Sequence, residues 1–202
     1  ICRLPENVVY LTDYWPHHGF SVAVLPKDAK PLLFLPEIET EYADADWAEV
    51  IPFGWGLLKD ADLYQNYRRL LGEAHTRFRL NNARVGVERS FEVVGSTYRS
   101  AEPIVPAAPW WHLLDDVFAD ANQVDATDLL QTARAIKTNY ELGKLRVANE
   151  IAEMGMSEFV AKMQPGMTEA QVGAMVEQKI RADGPGHKGA RLVRALCEVG
   201  AG

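Results

Sequence analysis

Residues 20–35, with the sequence FSVAVLPKDAKPLLFL, contain two short apolar runs on either side of a polar turn. Residues 20–25 and 32–35 are rich in β-branched and large apolar side chains, which favour strands. Because the turn at residues 27–31 is short, we expect the two strands to form an antiparallel hairpin. Both runs are almost continuously apolar, which indicates central strands that are covered on both faces.

Strand and helix patterns alternate on both sides of this hairpin. Further strands are predicted at residues 7–12, 48–53, 84–88 and 104–105. Helices are predicted at residues 37–44, 60–78, 91–100 and 113–119. Within residues 60–78, apolar side chains recur at helical spacing on one face, namely Leu63, Tyr67, Leu70, Leu71 and Ala74. This mixture of short strands and helices predicts the α/β class.

The pattern changes near residue 125, after which strand signals nearly vanish. Residues 129–137 are predicted to form a linking helix. Thr138 and Glu141 fit a capping box, and so do Thr168 and Gln171, so each pair is expected to begin a helix. The first of these helices is expected to end at residues 165–166 and the second at residues 184–186. We interpret the two as a helical pair that follows a domain boundary.

The composition is that of an ordinary folded protein, with 48% hydrophobic and 24% charged residues. The formal net charge of −7 disfavours a nucleic-acid partner, and the adjacent Arg68 and Arg69 are interpreted as a solvated helix end. No apolar run approaches the roughly 20 residues that span a bilayer, so no membrane partner is expected. Cys2 and Cys197 lie far apart in the sequence, which favours reduced thiols in a cytoplasmic protein.

The usual catalytic and metal-binding patterns do not occur in the sequence. The five histidines include no HExxH pair, and the two cysteines do not form a CxxC. The sequence also has no Walker phosphate loop and no GxSxG nucleophile elbow. We therefore assign no catalytic residue and no metal ligand, and we expect no cofactor in this chain.

The strongest local candidate for a binding site is the loop at residues 14–18, which contains Tyr14, Trp15, His17 and His18. Adjacent histidines on a loop can contact a ligand or titrate near neutral pH. The competing interpretation is an exposed, irregular turn. The neighbouring Asp13 is interpreted as a structural residue that turns the chain. Trp110 and Trp111 are interpreted as the edge of a core, with an exposed ligand platform as the alternative.

Three stretches resemble the creatinase/aminopeptidase P/prolidase family. PENVVYLTDY (residues 5–14) is similar to that family's N-terminal PENVxYLTGY segment, with Asp13 where glycine is usual. RAIKTNYEL (residues 134–142) resembles the RxIKTxxEL sequence that joins the N-terminal domain to the first helix of the catalytic domain. MQPGMTE (residues 163–169) resembles the hxPGMTE turn between the first two helices of the catalytic domain. In this order the motifs cover nearly the whole chain.

The resemblance implies a domain organisation. Residues 1–124 are expected to form a creatinase-like N-terminal domain, an α/β unit with a mixed sheet flanked by helices. Residues 125–137 are expected to form a linker helix. Residues 138–202 are expected to be the opening helices of a pita-bread α+β domain, and the chain is expected to end before the sheet of that domain.

The resemblance also implies a mechanism for the complete enzyme. Family enzymes hold two divalent cations, commonly manganese, cobalt or zinc, between two aspartates, one histidine and two glutamates. The metals activate a bridging water that attacks a carbonyl carbon. Because these ligands lie downstream of the PGMTE turn, Asp183, His187 and Glu198 are not assigned as ligands.

The N-terminal domain of the family has an implied role of its own. In family dimers it packs against the partner subunit and helps to close the partner's active site, so a homodimer is expected. The loop that carries Tyr14, Trp15, His17 and His18 is then the candidate substrate-binding segment. Asp13 is expected to affect the path of this loop, because glycine reaches backbone angles that aspartate adopts less easily.

These expectations lead to a first functional hypothesis, a metal-dependent Xaa-Pro aminopeptidase or dipeptidase that acts on a small peptide or amide. This chain alone is expected to be inactive. The alternatives are a non-catalytic binding or dimerisation module of the same fold, and a metal-free creatinase-like enzyme that cleaves a C–N bond.

Overall fold

The computed structural model describes residues 1–56, 62–90 and 107–200, which divide into two compact units between Ala135 and Ile136. The strands of the first unit are β1 (Val22–Val24), β2 (Leu32–Pro36), β3 (Glu49–Phe53), β4 (Arg84–Val87) and β5 (Asn122–Asp125). Its α-helices are α1 (Pro5–Thr12), α2 (Leu63–Phe78), α3 (Ala107–Val117) and α4 (Thr127–Ala135), with a 3₁₀-helix at Glu37–Tyr42. The prediction of a mixed sheet flanked by helices is confirmed.

The hairpin at residues 20–35 forms the centre of this unit. β1 pairs antiparallel with β2, with Val24 opposite Leu32, and β2 pairs parallel with β3. All five residues of β2 are buried, because alternate side chains enter two different hydrophobic clusters. Leu32 and Phe34 face one cluster, and Leu33 and Leu35 face the other. The predictions of an antiparallel hairpin and of strands covered on both faces are therefore confirmed.

Helix α2 covers one face of the sheet with the apolar stripe that its sequence predicts. Tyr67, Leu70, Leu71 and Ala74 are buried in the same cluster as Phe34. The side chain of Asp62 caps the helix by accepting a hydrogen bond from the Gln65 amide at 3.0 Å. The hydroxyl of Tyr67 donates to the Phe20 carbonyl at 2.6 Å, which ties the helix to the residues just before β1.

The predicted strand at residues 7–12 is wrong, because this segment is the helix α1. The chain pairs with β1 only at Cys2, opposite Ala23, and then leaves the sheet. Pro5 lies in the first turn of the helix, where its fixed φ is compatible with helical geometry. The β-branched composition of the segment favoured a strand, but long-range contacts at the start of the helix outweigh that preference.

Those contacts come from Glu88, a buried carboxylate at the end of β4. Its oxygens accept hydrogen bonds from the backbone amides of Arg3 at 2.7 Å and Leu4 at 3.1 Å, and from Asn7 Nδ2 at 2.5 Å. A carboxylate beside the first turn of a helix satisfies amides that lack a partner within the helix. Burial raises the pKa of Glu88, and the hydrogen bonds oppose that effect.

The remaining elements of the first unit agree only in part with those predicted from the sequence. β4 is confirmed, and it pairs parallel with β5, a strand that the sequence did not predict. Only Val124 of β5 is apolar, and its other residues are polar, so the strand lacks a recognisable pattern. Helix α3 confirms the prediction at residues 113–119 but begins earlier. The helix predicted at residues 91–100 and the strand predicted at residues 104–105 lie outside the described residues.

The second unit contains a pair of helices, α5 (Asn139–Lys162) and α6 (Glu169–Asp183), and a short 3₁₀-helix at His187–Gly189. Both capping boxes are present as predicted, one at Thr138 and Glu141 and one at Thr168 and Gln171. Gly155 of α5 faces Val176 and Ile180 of α6, so the two helices approach closely there. Helix α4 groups with the first unit, and the predicted domain limits at residues 124 and 137 stay a prediction.

Candidate functional site

The loop at residues 14–18 leaves α1 through a left-handed turn. Asp13 caps the helix with φ 53° and ψ 16°, and its amide donates to the Val9 carbonyl at 2.9 Å. Glycine adopts this region most easily, and aspartate is one of the few other residues that visit it. Asp13 therefore turns the chain out of α1 and into the loop at residues 14–18, as the sequence predicts.

Glu39 is the centre of the site, and it lies on the 3₁₀-helix that follows β2. Only 1% of its surface is exposed. One carboxylate oxygen, Oε2, accepts the Tyr14 hydroxyl and, at 3.2 Å, the His17 backbone amide. The other oxygen, Oε1, lies 2.6 Å from Nδ1 of His18. A single buried carboxylate thus binds three successive parts of the loop.

Aromatic rings fix the two histidines in different surroundings. The His17 ring lies 4.2 Å from the ring of Tyr42, centroid to centroid, and its buried Nε2 has no hydrogen-bond partner among the residues that the structure describes. The His18 ring lies 4.6 Å from the ring of Trp55, and 41% of the His18 side chain is exposed. Of the two imidazoles, that of His18 is the one that solvent reaches more readily.

The electrostatics of the site follow from burial. Burial raises the pKa of Glu39, and hydrogen bonds from the backbone of His17 and His18 partly oppose that shift. Burial also lowers the pKa of His17, and the nearby His18 lowers it further. Desolvation therefore opposes charge on both Glu39 and His17, whereas the hydrogen bonds from the loop stabilise the carboxylate form of Glu39.

The predicted site residues differ in what they can contact. Tyr14 is 1% exposed, packs in the core beside Val8 and Leu33, and uses its hydroxyl on Glu39. Trp15 is 54% exposed. The structure brings Tyr14, His17 and His18 together around Glu39. Their contact with a substrate stays a prediction.

Sequence reasoning missed Glu39. It lies in the segment EIETEY, between Glu37 and Glu41, and both of these neighbours are exposed. Three glutamates at alternate positions carry no signal that one of them is buried. The distinction depends on the 3₁₀-helix, which turns Glu39 beneath a loop more than 20 residues earlier in the chain.

The described residues do not fit a pair of catalytic cations. Within residues 1–56, 62–90 and 107–200, no group of three or more histidine, cysteine, aspartate or glutamate side chains could hold a metal ion. His187 instead lies 2.7 Å from Glu150, and Asp183 pairs with Lys179 on the same helix. We derive no metal-dependent step from these residues.

Other sequence candidates have structural roles. Trp110 is buried against Tyr67, with ring centroids 5.5 Å apart, which confirms its interpretation as a core residue. Arg68 and Arg69 pair with the exposed carboxylates of Asp116 and Glu73. No helix among the described residues combines the length and the apolar composition needed to cross a membrane.

Comparison with known proteins covers both the sequence and the fold. An uncharacterized peptidase of Staphylococcus aureus is 26% identical over 182 residues, and one of Staphylococcus saprophyticus is 23% identical over 185 residues. Both alignments cover 89% of this chain and 44% of the relative. The chain therefore spans less than half the length of the curated relatives that it matches.

Solved structures share the fold. The X-Pro aminopeptidase from Thermotoga maritima matches with a TM-score of 0.64 at 18% identity, over 89% of this chain and 44% of that chain. The prolidase from Pyrococcus furiosus matches with a TM-score of 0.55 at 19% identity, over 89% of this chain and 43% of that chain. At these identities the likeness concerns the fold, and activity has to be argued separately.

The family itself is established by a match over more than half of the chain. The model of the Creatinase/Prolidase N-terminal domain family matches residues 2–136, which include the hairpin, α2, Glu39 and the loop at residues 14–18. The chain belongs to the creatinase/prolidase N-terminal domain family.

Proposed function

We propose that this chain is the N-terminal domain and the opening helices of a metal-dependent Xaa-Pro aminopeptidase or dipeptidase. The observation that carries this proposal is the family match over residues 2–136, together with the fold shared with an X-Pro aminopeptidase and a prolidase. The relatives are more than twice as long as the aligned part. We place the catalytic cations, manganese, cobalt or zinc, in the part of the enzyme that corresponds to the unmatched length of the relatives.

We further propose that the loop at residues 14–18 contributes to peptide binding across a homodimer. Its exposed side chains are Trp15 and His18, and His18 is held in one orientation by Glu39 and Trp55. An oriented and accessible imidazole on the same loop as an exposed indole is a suitable contact for a small peptide. Both cysteines are free thiols, which supports a place in the reducing cytoplasm.

The experiment compares two purified proteins, the 202-residue chain and a version that continues to the length of the relatives. Each is assayed for release of the first residue from Xaa-Pro peptides with added Mn²⁺, Co²⁺ or Zn²⁺, and again after chelation. We expect metal-dependent turnover by the longer protein and none by the 202-residue chain. Metal-dependent turnover by the 202-residue chain would contradict the proposal that the catalytic cations bind outside it.

Two further measurements on the same proteins, an assay with a non-peptide C–N substrate and light scattering, separate the alternatives. Cleavage of a non-peptide C–N bond that survives chelation would indicate a creatinase-like enzyme. A longer protein without hydrolytic activity, which nevertheless dimerises in light scattering, would indicate a binding or dimerisation module. If the longer protein is a monomer, the proposal that the loop at residues 14–18 binds peptide across a homodimer is wrong.

A further inference from the structure

We propose that Glu39 is a positioning residue for His18. It holds the imidazole by Nδ1, so that Nε2 is the ring nitrogen available to a ligand. The tautomer of His18 depends on this chain alone, whereas the contact with a ligand rests on the proposed function of the loop at residues 14–18.

The surroundings of Glu39 favour a carboxylate that only accepts hydrogen bonds. The Tyr14 hydroxyl and the His17 amide are both donors, and they occupy Oε2. Oε1 is left for His18 Nδ1 at 2.6 Å. A short contact between a carboxylate and an imidazole nitrogen selects the tautomer with hydrogen on that nitrogen.

This contact decides what His18 presents to solvent. In a neutral imidazole one nitrogen donates and the other accepts. With Nδ1–H donated to Glu39, Nε2 carries the free lone pair, and a carboxylate behind the ring increases its strength as an acceptor. We infer that Nε2 accepts a hydrogen bond from an N–H group of a bound peptide.

Three neighbouring titratable groups do not offer this acceptor. Tyr14 is buried and uses its hydroxyl on Glu39. Nε2 of His17 is buried away from solvent. Tyr67, whose pKa is raised mainly by burial and slightly by the charge of Glu39, donates to the Phe20 carbonyl. Of these groups and His18, the imidazole of His18 is the most accessible to a ligand, with 41% of its side chain exposed.

Nuclear magnetic resonance of the ring nitrogens tests the tautomer on the 202-residue chain. We expect neutral His18 in the wild-type protein to be the Nδ1–H form. In Glu39→Gln the amide can donate to Nδ1, so we expect His18 to change to the Nε2–H form. The control is Glu37→Gln, which removes an exposed carboxylate from the same 3₁₀-helix and should leave the tautomer unchanged.

The wild-type spectrum alone can overturn the proposal. An Nε2–H form of His18 in the wild-type chain would exclude Glu39 as the acceptor of an Nδ1 proton, whatever the stability of the variant. A tautomer that is the same in wild type and in folded Glu39→Gln would also overturn it. Neither result depends on peptidase activity, so a failure here is separate from a failure of the proposed function.

A double-mutant cycle in the longer protein tests the ligand role. We expect His18→Ala and Glu39→Gln each to raise KM for an Xaa-Pro peptide, His18→Ala by about tenfold, with a smaller change in kcat. If Glu39 acts through His18, Glu39→Gln should have no further effect on KM in the His18→Ala background. Additive effects of the two substitutions would overturn the positioning role, and an unchanged KM in both single variants would overturn the contact with the ligand.

Discussion

At the scale of single residues, the backbone angle of Asp13 supports the course of the loop. An L-residue in the left-handed region costs about 1–2 kcal/mol, and a β-branched residue is especially unfavourable there. We expect Asp13→Val to lower the free energy of unfolding by about 1–2 kcal/mol, and Asp13→Gly to keep or raise it. Denaturant titration measures both changes.

The control for this prediction is Asp28→Val, in the exposed turn between β1 and β2. Asp28 has a negative φ, so the same change of side chain should cost much less there. Equal losses at the two positions would show that removal of an aspartate, and not the backbone angle, accounts for the effect at Asp13.

The buried carboxyl of Glu39 gives a pH dependence whose sign can be worked out. Burial raises its pKa in the folded protein above the ordinary value of 4.5. The folded state therefore binds this proton more tightly than the unfolded chain does. The resulting stability is fully present below about pH 4.5 and is lost as the pH rises through the raised pKa.

We therefore expect the free energy of unfolding of Glu39→Gln, relative to wild type, to increase as the pH rises from about 4 through the raised pKa of Glu39. Exposed carboxyls with lowered pKa values, such as Glu150 beside Lys188 and His187, act in the opposite direction. Because they are present in both proteins, they cancel in the difference. Thermal or denaturant unfolding at several pH values measures it, and parallel curves for the two proteins would contradict the expectation.

At the scale of elements, the packing of α5 against α6 depends on one glycine. A β-carbon at Gly155 would lie 2.6 Å from Ile180 Cδ1 and 2.9 Å from Val176 Cγ1. We expect Gly155→Ala to lower the free energy of unfolding by about 1 kcal/mol or more, because overpacking outweighs the gain in helix propensity.

Gly143 on the same helix provides the matched control. A β-carbon there would meet no atom within 4 Å. Gly143→Ala should therefore raise stability by about 0.5–1 kcal/mol through helix propensity alone. Thermal unfolding followed by circular dichroism measures the stability of both variants. Stabilisation by both substitutions would show that α6 shifts at little cost to accommodate the added methyl group.

At the scale of the whole molecule, the first unit has the features of an independent fold. It has a three-stranded and a two-stranded sheet, two hydrophobic clusters that lie on opposite faces of β2, and helices that cover them. A domain of about this size can bury enough apolar surface to fold alone. We therefore expect a protein that ends at Ile136 to unfold cooperatively.

Amide spectra of the shortened and the 202-residue proteins check this expectation. The resonances of residues in β1, β2 and the loop at residues 14–18 should overlay in the two spectra. Poorly dispersed amide resonances, or chemical-shift changes throughout the first unit, would show that residues 137–202 are needed for its fold. A preserved spectrum would also supply a smaller protein for the measurements on His18.

Local patterns account for the elements that the sequence predicts well. Strand β2, helix α2 and the starts of α5 and α6 depend on neighbours within a few residues, namely apolar periodicity and capping boxes. Strand β5 has no such local signal, because it forms through pairing with β4 more than 30 residues earlier. The helix α1 has a local preference for a strand that distant contacts override.

The sequence by itself therefore determined the α/β class, the central hairpin, the helical pair and the likeness to the family. Each of these depends on residues that are close to one another in the sequence. The tertiary structure alone decided that residues 5–12 are a helix and that Glu39 is buried beneath the loop. Both depend on carboxylates brought to donors far away in sequence, Glu88 to Arg3, Leu4 and Asn7, and Glu39 to Tyr14, His17 and His18. Burial of a charged group is a property of the folded chain, and no local pattern specifies it.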